Sequence, residues 1–348
     1  MKKFGVVIGN PPYQDDNELS TRKTPIYNLF MDEANKLADK VELITPARFL
    51  FNAGQTPKKW NEERLNDPKF KVLCFEQKAS NFFPNTDIKG GVAITYRDEN
   101  KNFGPIRAFT SFKELNSILQ KVLSSNPAEF LDALVSSQGI YKYTTHAFEE
   151  NSDLIHLQGK GTGNKIVSKS FAADNIIFTD EKPDSSHHYI SLIGLKEKKR
   201  QYRFIKAENV ENNDWLTTYN VFVPEANGSG ALGEILSTPL IGQPLIGQPL
   251  IGHTDTFLSI GKFNDREEAE ALNKYIKTKF ARTMLGILKA TQHNPKSTWK
   301  YVPLQDFTKK SDIDWSKSIP EIDQQLYKKY NLSPEEIKFI ETHVKEMD

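Results

Sequence analysis

The chain has 348 residues, of which 38% are hydrophobic, 26% charged and 11% aromatic, with 46 Lys and Arg against 45 Asp and Glu. This is enough apolar material for about two domains and too little for a membrane span, and the near-balanced charge leaves any nucleic-acid binding to a local patch. The single cysteine, Cys74, excludes an internal disulfide and a cysteine-rich metal site; with no apolar leader core at the start, an intracellular, cytoplasmic setting is expected.

The apolar run 4–8, Phe-Gly-Val-Val-Ile, reads as a buried strand. Gly9-Asn10-Pro11-Pro12-Tyr13 ends it, because neither proline can donate a ladder hydrogen bond, and a polar loop through Asp15 and Asn17 follows. Ile26, Leu29, Phe30, Ala34 and Leu37 recur at helical spacing over 25–39, with Pro25 suited to a first turn. Segments 41–44, 70–75 and 91–96 read as further strands, with a polar helical stretch over 60–65. Strands alternating with helices predict an α/β, doubly wound sheet.

Beyond residue 110 the rhythm changes. A helix is expected over 111–125, then β-rich, loop-rich sequence from 132 to 261, a helix over 265–289 and two tail helices. The first tail helix covers 320–330, and the second opens with the capping box Ser333-Pro334-Glu335-Glu336. Residues 239–253 read PLIGQ, PLIGQ, PLIGH, a unit too short for a solenoid and best taken as a local duplication. The expected division is 1–110, 111–305 and 306–348.

Chemistry concentrates at Asn10-Pro11-Pro12-Tyr13. A strand that ends at Gly9 places these residues at the carboxyl edge of a parallel sheet, where α/β enzymes bind ligands. The prolines make the loop rigid, so the Asn10 side chain and the Pro11 carbonyl become two fixed acceptors beside an aromatic ring. Two convergent acceptors and a stacking ring suit a planar exocyclic amine, such as that of a nucleobase. In isolation Asn-Pro-Pro would be turn punctuation; the strand before it and the tyrosine after it favour a catalytic loop.

These residues resemble the (D/N/S)-P-P-(Y/F/W) loop of DNA amino-methyltransferases, and Asn-Pro-Pro-Tyr is typical of the γ-type N6-adenine enzymes of type II and IIG restriction-modification systems. Residues 26–34 look like the helix after that loop, 43–50 like the next strand and turn, and 82–94 like the segment supplying a second aromatic. The resemblance implies a partial Rossmann-like methyltransferase sheet, a β-rich DNA target-recognition domain and a short helical tail. It implies that Asn10, Pro11, Pro12 and Tyr13 are catalytic, that Tyr13 and Phe83 sandwich a flipped adenine, and that the methyl donor is S-adenosylmethionine, met by Asn10 and Pro12. Its implied partners are double-stranded DNA and an amino-terminal methylase or nuclease chain.

The cofactor's glycine loop is missing ahead of residue 4. Gly228-Ser229-Gly230-Ala231-Leu232-Gly233 has the GxGxxG spacing but no βαβ unit after it, and Gly159-Lys160-Gly161-Thr162-Gly163 lacks the Walker spacing. The expectation is therefore the carboxyl half of a methylase, from a split gene or a truncated frame, and a poor cofactor binder alone. A phosphate-binding segment is expected at Lys196, Lys198, Lys199, Arg200, Arg203 and Lys206, interleaved with Tyr202 and Phe204; a solvated hairpin edge is the competing reading. Lys274, Lys277, Lys279 and Arg282 form a second basic group on a helix whose polar face accounts for most of them. His187-His188 is a poor chelate, since neighbours on a strand point to opposite faces, and no metal site is expected. The rival to the enzyme is a non-catalytic DNA-specificity module.

Overall fold

The computed structural model describes residues 3–15, 24–53, 55–84, 86, 88–174, 176–184, 186–227, 232–236, 240–242, 250–289 and 291–347. The chain divides into two compact units, Met1–Asn116 and Ser117–Asp348.

The first unit holds β1 (Phe4–Gly9), α1 (Tyr27–Leu37), β2 (Ala38–Pro46), α2 (Lys58–Asn66), β3 (Phe70–Glu76) and β4 (Val92–Asp98). They build one four-stranded sheet in the order β1-β2-β4-β3. β1 and β2 are parallel and joined through α1, with Phe4 opposite Ala38 and Gly9 opposite Leu43. β4 runs antiparallel to both β2 and β3. The sheet is thus mixed α/β, and the expectation of a parallel doubly wound sheet is corrected at β4. That strand returns directly from β3 by a loop, and only a crossover connection could have made it parallel.

α1 packs Tyr27, Met31 and Ala34 onto the sheet, where they join Val41, Leu43, Phe49, Trp60, Leu65 and Phe70 in one core. This corrects the expected apolar stripe. Leu29, Phe30 and Leu37 are exposed, because α1 carries apolar residues on more than one side and the sheet takes the Tyr27 side. Trp60 Nε1 donates to the Asp32 carboxylate at 3.0 Å, fixing α2 to α1. On β1 only Val7 reaches that core. Phe4, Val6 and Ile8 point to the other face and are 48%, 53% and 74% exposed, so the strand expected to be buried leaves one apolar face in solvent.

α3 (Lys113–Ser124) leads into the second unit, which continues with α4 (Thr145–Glu150), α5 (Leu154–Leu157), α6 (Ser168–Ala172), β5 (Tyr189–Lys196), β6 (Lys199–Lys206), β7 (Tyr219–Pro224), β8 (Leu240–Gly242), β9 (Ile251–His253) and β10 (Phe257–Phe263). Two three-stranded sheets result, β10-β7-β8 and β6-β5-β9. Equivalent residues of the first and third PLIG copies therefore extend different sheets, β8 pairing with β7 and β9 with β5; the rest of the repeat lies outside the described residues. α7 (Arg266–Lys277), α8 (Lys279–Leu285), α9 (Ile319–Lys329) and α10 (Pro334–His343) complete the chain.

The helix expected over 265–289 is two helices. Thr278 is extended (φ −58°, ψ 148°) and its hydroxyl accepts the Ala281 amide, restarting the chain as an N-cap, while Asp323 accepts the Lys279 and Phe280 amides at 2.9 Å. Both tail helices begin with capping boxes, Ser318 with Glu321 and Ser333 with Glu336.

Candidate functional site

Because β1 and β2 are parallel, their carboxyl ends lie at one edge of the sheet. Asn10 leaves the sheet one residue after Gly9, which is level with Leu43. The prolines end the ladder there, and the chain turns back: Gln14 bridges Pro25, Ile26 N donates to the Tyr13 carbonyl at 3.2 Å, and Asp15 and Thr24 exchange backbone and side-chain bonds. The loop is thus closed by short links to the start of α1, although residues 16–23, which include Asn17, lie outside the described ones. Asn10 and Pro12 are exposed and Pro11 and Tyr13 half-buried. The Tyr13 hydroxyl is buried without a hydrogen-bond partner among the described residues, and burial raises its pKa above the usual phenol value.

The same edge receives the turn after β2 and the β3–β4 connection. Pro46, at the end of β2, and Glu76, at the end of β3, are both level with Val92. The described residues between 77 and 91 therefore sit at the carboxyl edge, and they include Phe83. The half-buried Phe83 follows a 3₁₀ turn at Ala79–Asn81, donates its amide to the Ala79 carbonyl at 2.9 Å and accepts from Thr86 Oγ1 at 2.6 Å. Phe82 is more exposed, 37%. Ala47 N donates to the Gly91 carbonyl at 3.0 Å and Arg48 Nε to the Lys89 carbonyl, stitching the β2 turn to this loop. Beneath, Phe51, Phe75 and Phe109 form a triangle of edge-on rings with centroids 5.5–5.6 Å apart.

The resemblance implies a site for a sulfonium methyl donor. Asn10 and Pro12, the residues the resemblance sets against it, stand at the end of β1. Among the described residues no glycine-rich turn links a parallel strand to a helix and could cradle an adenosine moiety. Of the 228–233 candidate only Leu232 and Gly233 are described, and the Gly233 carbonyl is taken by Arg282 Nη1 at 3.2 Å and the Lys345 amide at 3.3 Å.

The basic segment forms the β5–β6 hairpin, turning at Glu197 and Lys198 with φ of 53° and 62°. Its six basic residues have different environments. Arg203 is buried; its guanidinium donates to the Phe171, Ala173 and Phe178 carbonyls, and Asp180 lies 2.5 Å from Nε. Lys196 pairs with Asp174 at 2.6 Å and Asp180 at 3.1 Å, and Lys206 with Glu150 at 3.0 Å. Lys198, Lys199 and Arg200 are exposed at the tip, Arg200 lying over the Phe257 ring. In the second group, Lys274 and Arg282 donate to backbone carbonyls and Lys279 pairs with Glu341.

Sequence reasoning missed one titratable cluster. His146, Glu150 and Glu208 place ligand atoms within 4.8 Å of one another, with His187 3.4 Å from Glu208. The signal was half visible as an i, i+4 His-Glu pair, but Glu208 arrives only through the fold. Lys206 reaches both glutamates, so an ammonium already balances the cluster.

Residues 1–83 match the model of the Eco57I restriction-modification methylase family. Among solved structures, the type IIG restriction endonuclease BpuSI aligns over 91% of this chain and 48% of its own, with 12% identity and a TM-score of 0.30; the chain spans about half the length of that enzyme. No curated protein sequence matches the chain. Among the described residues no helix is long and apolar enough to cross a membrane. In its first 83 residues, those carrying the Asn10–Tyr13 loop and Phe83, the chain is similar to a restriction-modification methylase.

Proposed function

We propose that the chain supplies the target-base half of a DNA adenine-N6 methyltransferase of a restriction-modification system. The observation that carries this reading is the convergence at one sheet edge of a rigid Asn-Pro-Pro-Tyr loop and an aromatic-bearing second loop, within the segment that matches the methylase family. A flipped adenine costs a few kcal/mol to extrude, and stacking on Tyr13 and Phe83 would offset part of it at roughly 1–3 kcal/mol per base. Asn10 Oδ1 and the Pro11 carbonyl would accept the two N6 protons, localising the nitrogen lone pair and holding it in place, while the prolines keep both acceptors from relaxing. S-adenosylmethionine would supply the methyl group.

The adenosine cradle is proposed to come from an amino-terminal methylase segment. The exposed faces support this: Phe4, Val6 and Ile8 on β1 and Leu29, Phe30 and Leu37 on α1 leave apolar surface of the kind that marks an interface. Domain limits of 1–110, 111–305 and 306–348 remain part of this proposal, with the middle region as target-recognition domain and the hairpin tip, Lys198, Lys199 and Arg200, among its DNA contacts.

The test is methyl transfer from labelled cofactor to duplex DNA, with and without an added amino-terminal methylase segment. Activity on mixing that Asn10→Ala abolishes, with DNA binding unchanged, supports the reading; transfer by Asn10→Ala at the wild-type rate overturns it. The second reading, a DNA-specificity module without catalysis, is favoured by the lack of a glycine cradle among the described residues. It predicts DNA binding and no transfer under either condition.

A further inference from the structure

Among the described residues, one imidazole and two carboxylates come close enough together to hold a metal ion: His146, Glu150 and Glu208, with ligand atoms within 4.8 Å of one another. Local structure aligns the first two. They stand one turn apart on α4, whose rotation is fixed because Ala147 and Phe148 pack into the core, Phe148 against Tyr143 with ring centroids 5.8 Å apart. His146 Nε2 and Glu150 Oε1 are 3.6 Å apart. Ligand atoms on a tetrahedral zinc, with bonds of about 2.0–2.2 Å, stand roughly 3.3–3.6 Å from each other. This pair is therefore set at chelating distance.

The third ligand is delivered by tertiary structure. Glu208 lies in the 3₁₀ turn Ala207–Asn209 after β6, and Thr144, the N-cap of α4, fastens that turn: its amide donates to the Asn209 carbonyl at 3.1 Å and its hydroxyl to the Glu208 carbonyl at 2.9 Å. The backbones that carry all three side chains are thus joined, and only exposed side-chain torsions need turn to bring the set onto one ion. Partners orient the carboxylates. Asn209 Nδ2 donates to Glu150 Oε2 at 3.3 Å, which leaves Oε1 toward His146, and His187 Nδ1 lies 3.4 Å from Glu208 Oε1. On the other side of the His146 ring, Glu149 Oε2 is 4.0 Å from Nδ1, the side from which a carboxylate steadies a metal-bound imidazole.

The Lys206 ammonium, 3.0 Å from Glu150 and 3.6 Å from Glu208, marks the point where a cation is stabilised between the two carboxylates. A lysine brings one charge there on a flexible stem that can swing into solvent. A divalent ion brings two charges to the same point and also takes the imidazole lone pair, which an ammonium cannot. The imidazole favours zinc over magnesium, whose preference is for oxygen ligands alone. We infer that His146, Glu150 and Glu208 form a site for a zinc-class divalent ion, which displaces Lys206 and fastens α4 to the turn after β6. The inference does not rest on the methyltransferase reading. It departs from the expectation of no metal because the ligands come from two segments far apart in the chain, and His187 enters only through Glu208, without His188.

Tag-free full chain, stripped of metal with a chelator, is titrated with Zn²⁺ against a chromophoric zinc indicator, with Mg²⁺ in large excess. Wild type should take up one equivalent despite the magnesium. His146→Gln and Glu208→Gln, both at exposed side chains, should weaken uptake by roughly tenfold or more, while Lys206→Gln, which removes the competing ammonium, should tighten it. Saturating Zn²⁺ should raise the unfolding midpoint of wild type and leave that of His146→Gln unchanged. Equal affinity of wild type and His146→Gln would place the ion elsewhere and overturn the inference. So would loss of uptake under magnesium, the mark of an unselective acidic surface. No stoichiometric uptake by wild type would make Lys206 the permanent occupant and overturn it too, whatever Lys206→Gln does.

Discussion

The Ala47 amide donates to the Gly91 carbonyl, and this backbone bond helps tie the turn after β2 to the loop that brings Phe83 to the edge holding Tyr13. Gly91 can make it because its φ is +79°; a Cβ there would lie 2.5 Å from the Glu76 carbonyl oxygen and 2.9 Å from Gln77 Cα, both backbone atoms that cannot swing away. Gly91→Ala should therefore destabilise the first unit by about 1–3 kcal/mol and loosen the Phe83 loop. Urea denaturation and amide exchange at 79–91 check this. A wild-type midpoint would show that the loop can shift without cost.

The Tyr13 hydroxyl has no hydrogen-bond partner among the described residues, so its removal should cost nothing in stability. Tyr13→Phe should match or slightly exceed wild-type stability and retain methyl transfer once the partner segment is supplied. Tyr13→Ala should lose the stack and drop transfer by roughly tenfold or more. Equal activity of all three would remove Tyr13 from the site.

Arg203 was expected on the DNA and is instead enclosed, with three carbonyls and Asp180 around its guanidinium. Arg203→Met should cost at least about 1–3 kcal/mol by leaving the three buried carbonyls without their donor, while the exposed Asp180 keeps Lys196. Chemical denaturation gives the loss directly. Equal stability with weakened DNA binding would return Arg203 to a contact role.

Two buried groups give opposing pH dependences. Burial among Tyr141, Phe222 and Phe257 pushes His253 down from 6.5 to about 4. Its contribution is complete above pH 6.5 and is lost as pH falls toward 4. Desolvation pushes Asp323 up from 3.8 to about 6, so its contribution is complete below 3.8 and is lost as pH rises through 6. Each slope is about 1.4 kcal/mol per pH unit, and between these limits they oppose. Relative to wild type, His253→Gln should gain stability on acidification across that window and Asp323→Asn should lose it. Parallel profiles for both variants would contradict the assignment.

Local signals were readable where one residue type decides the backbone. The prolines at 11 and 12 mark the end of β1, and Ser333 with Glu336 marks the start of α10. Direction and facing were not readable. Val92–Asp98 has the same alternation whether it runs parallel or antiparallel, and α1 has apolar residues on two sides, so only the sheet chooses Tyr27, Met31 and Ala34. The basic segment could not reveal that Asp174, Asp180 and Glu150 would fold onto three of its charges. The meeting of Glu208 with His146 and Glu150 arises from tertiary structure, which no spacing along the chain records.

The bare face and outer edge of β1 also bear on handling the protein. β1 ends its sheet, and among the described residues no strand follows it outward, so its amides and carbonyls form a template beside the exposed Phe4, Val6 and Ile8. In purification this is a concentration-dependent liability: two molecules can zip edge to edge, giving light scattering that rises with protein concentration and persists in high salt. A lysine at Val6 would act as a gatekeeper against such zipping and yield a more soluble preparation, while placing a charge where a partner segment would have to dock.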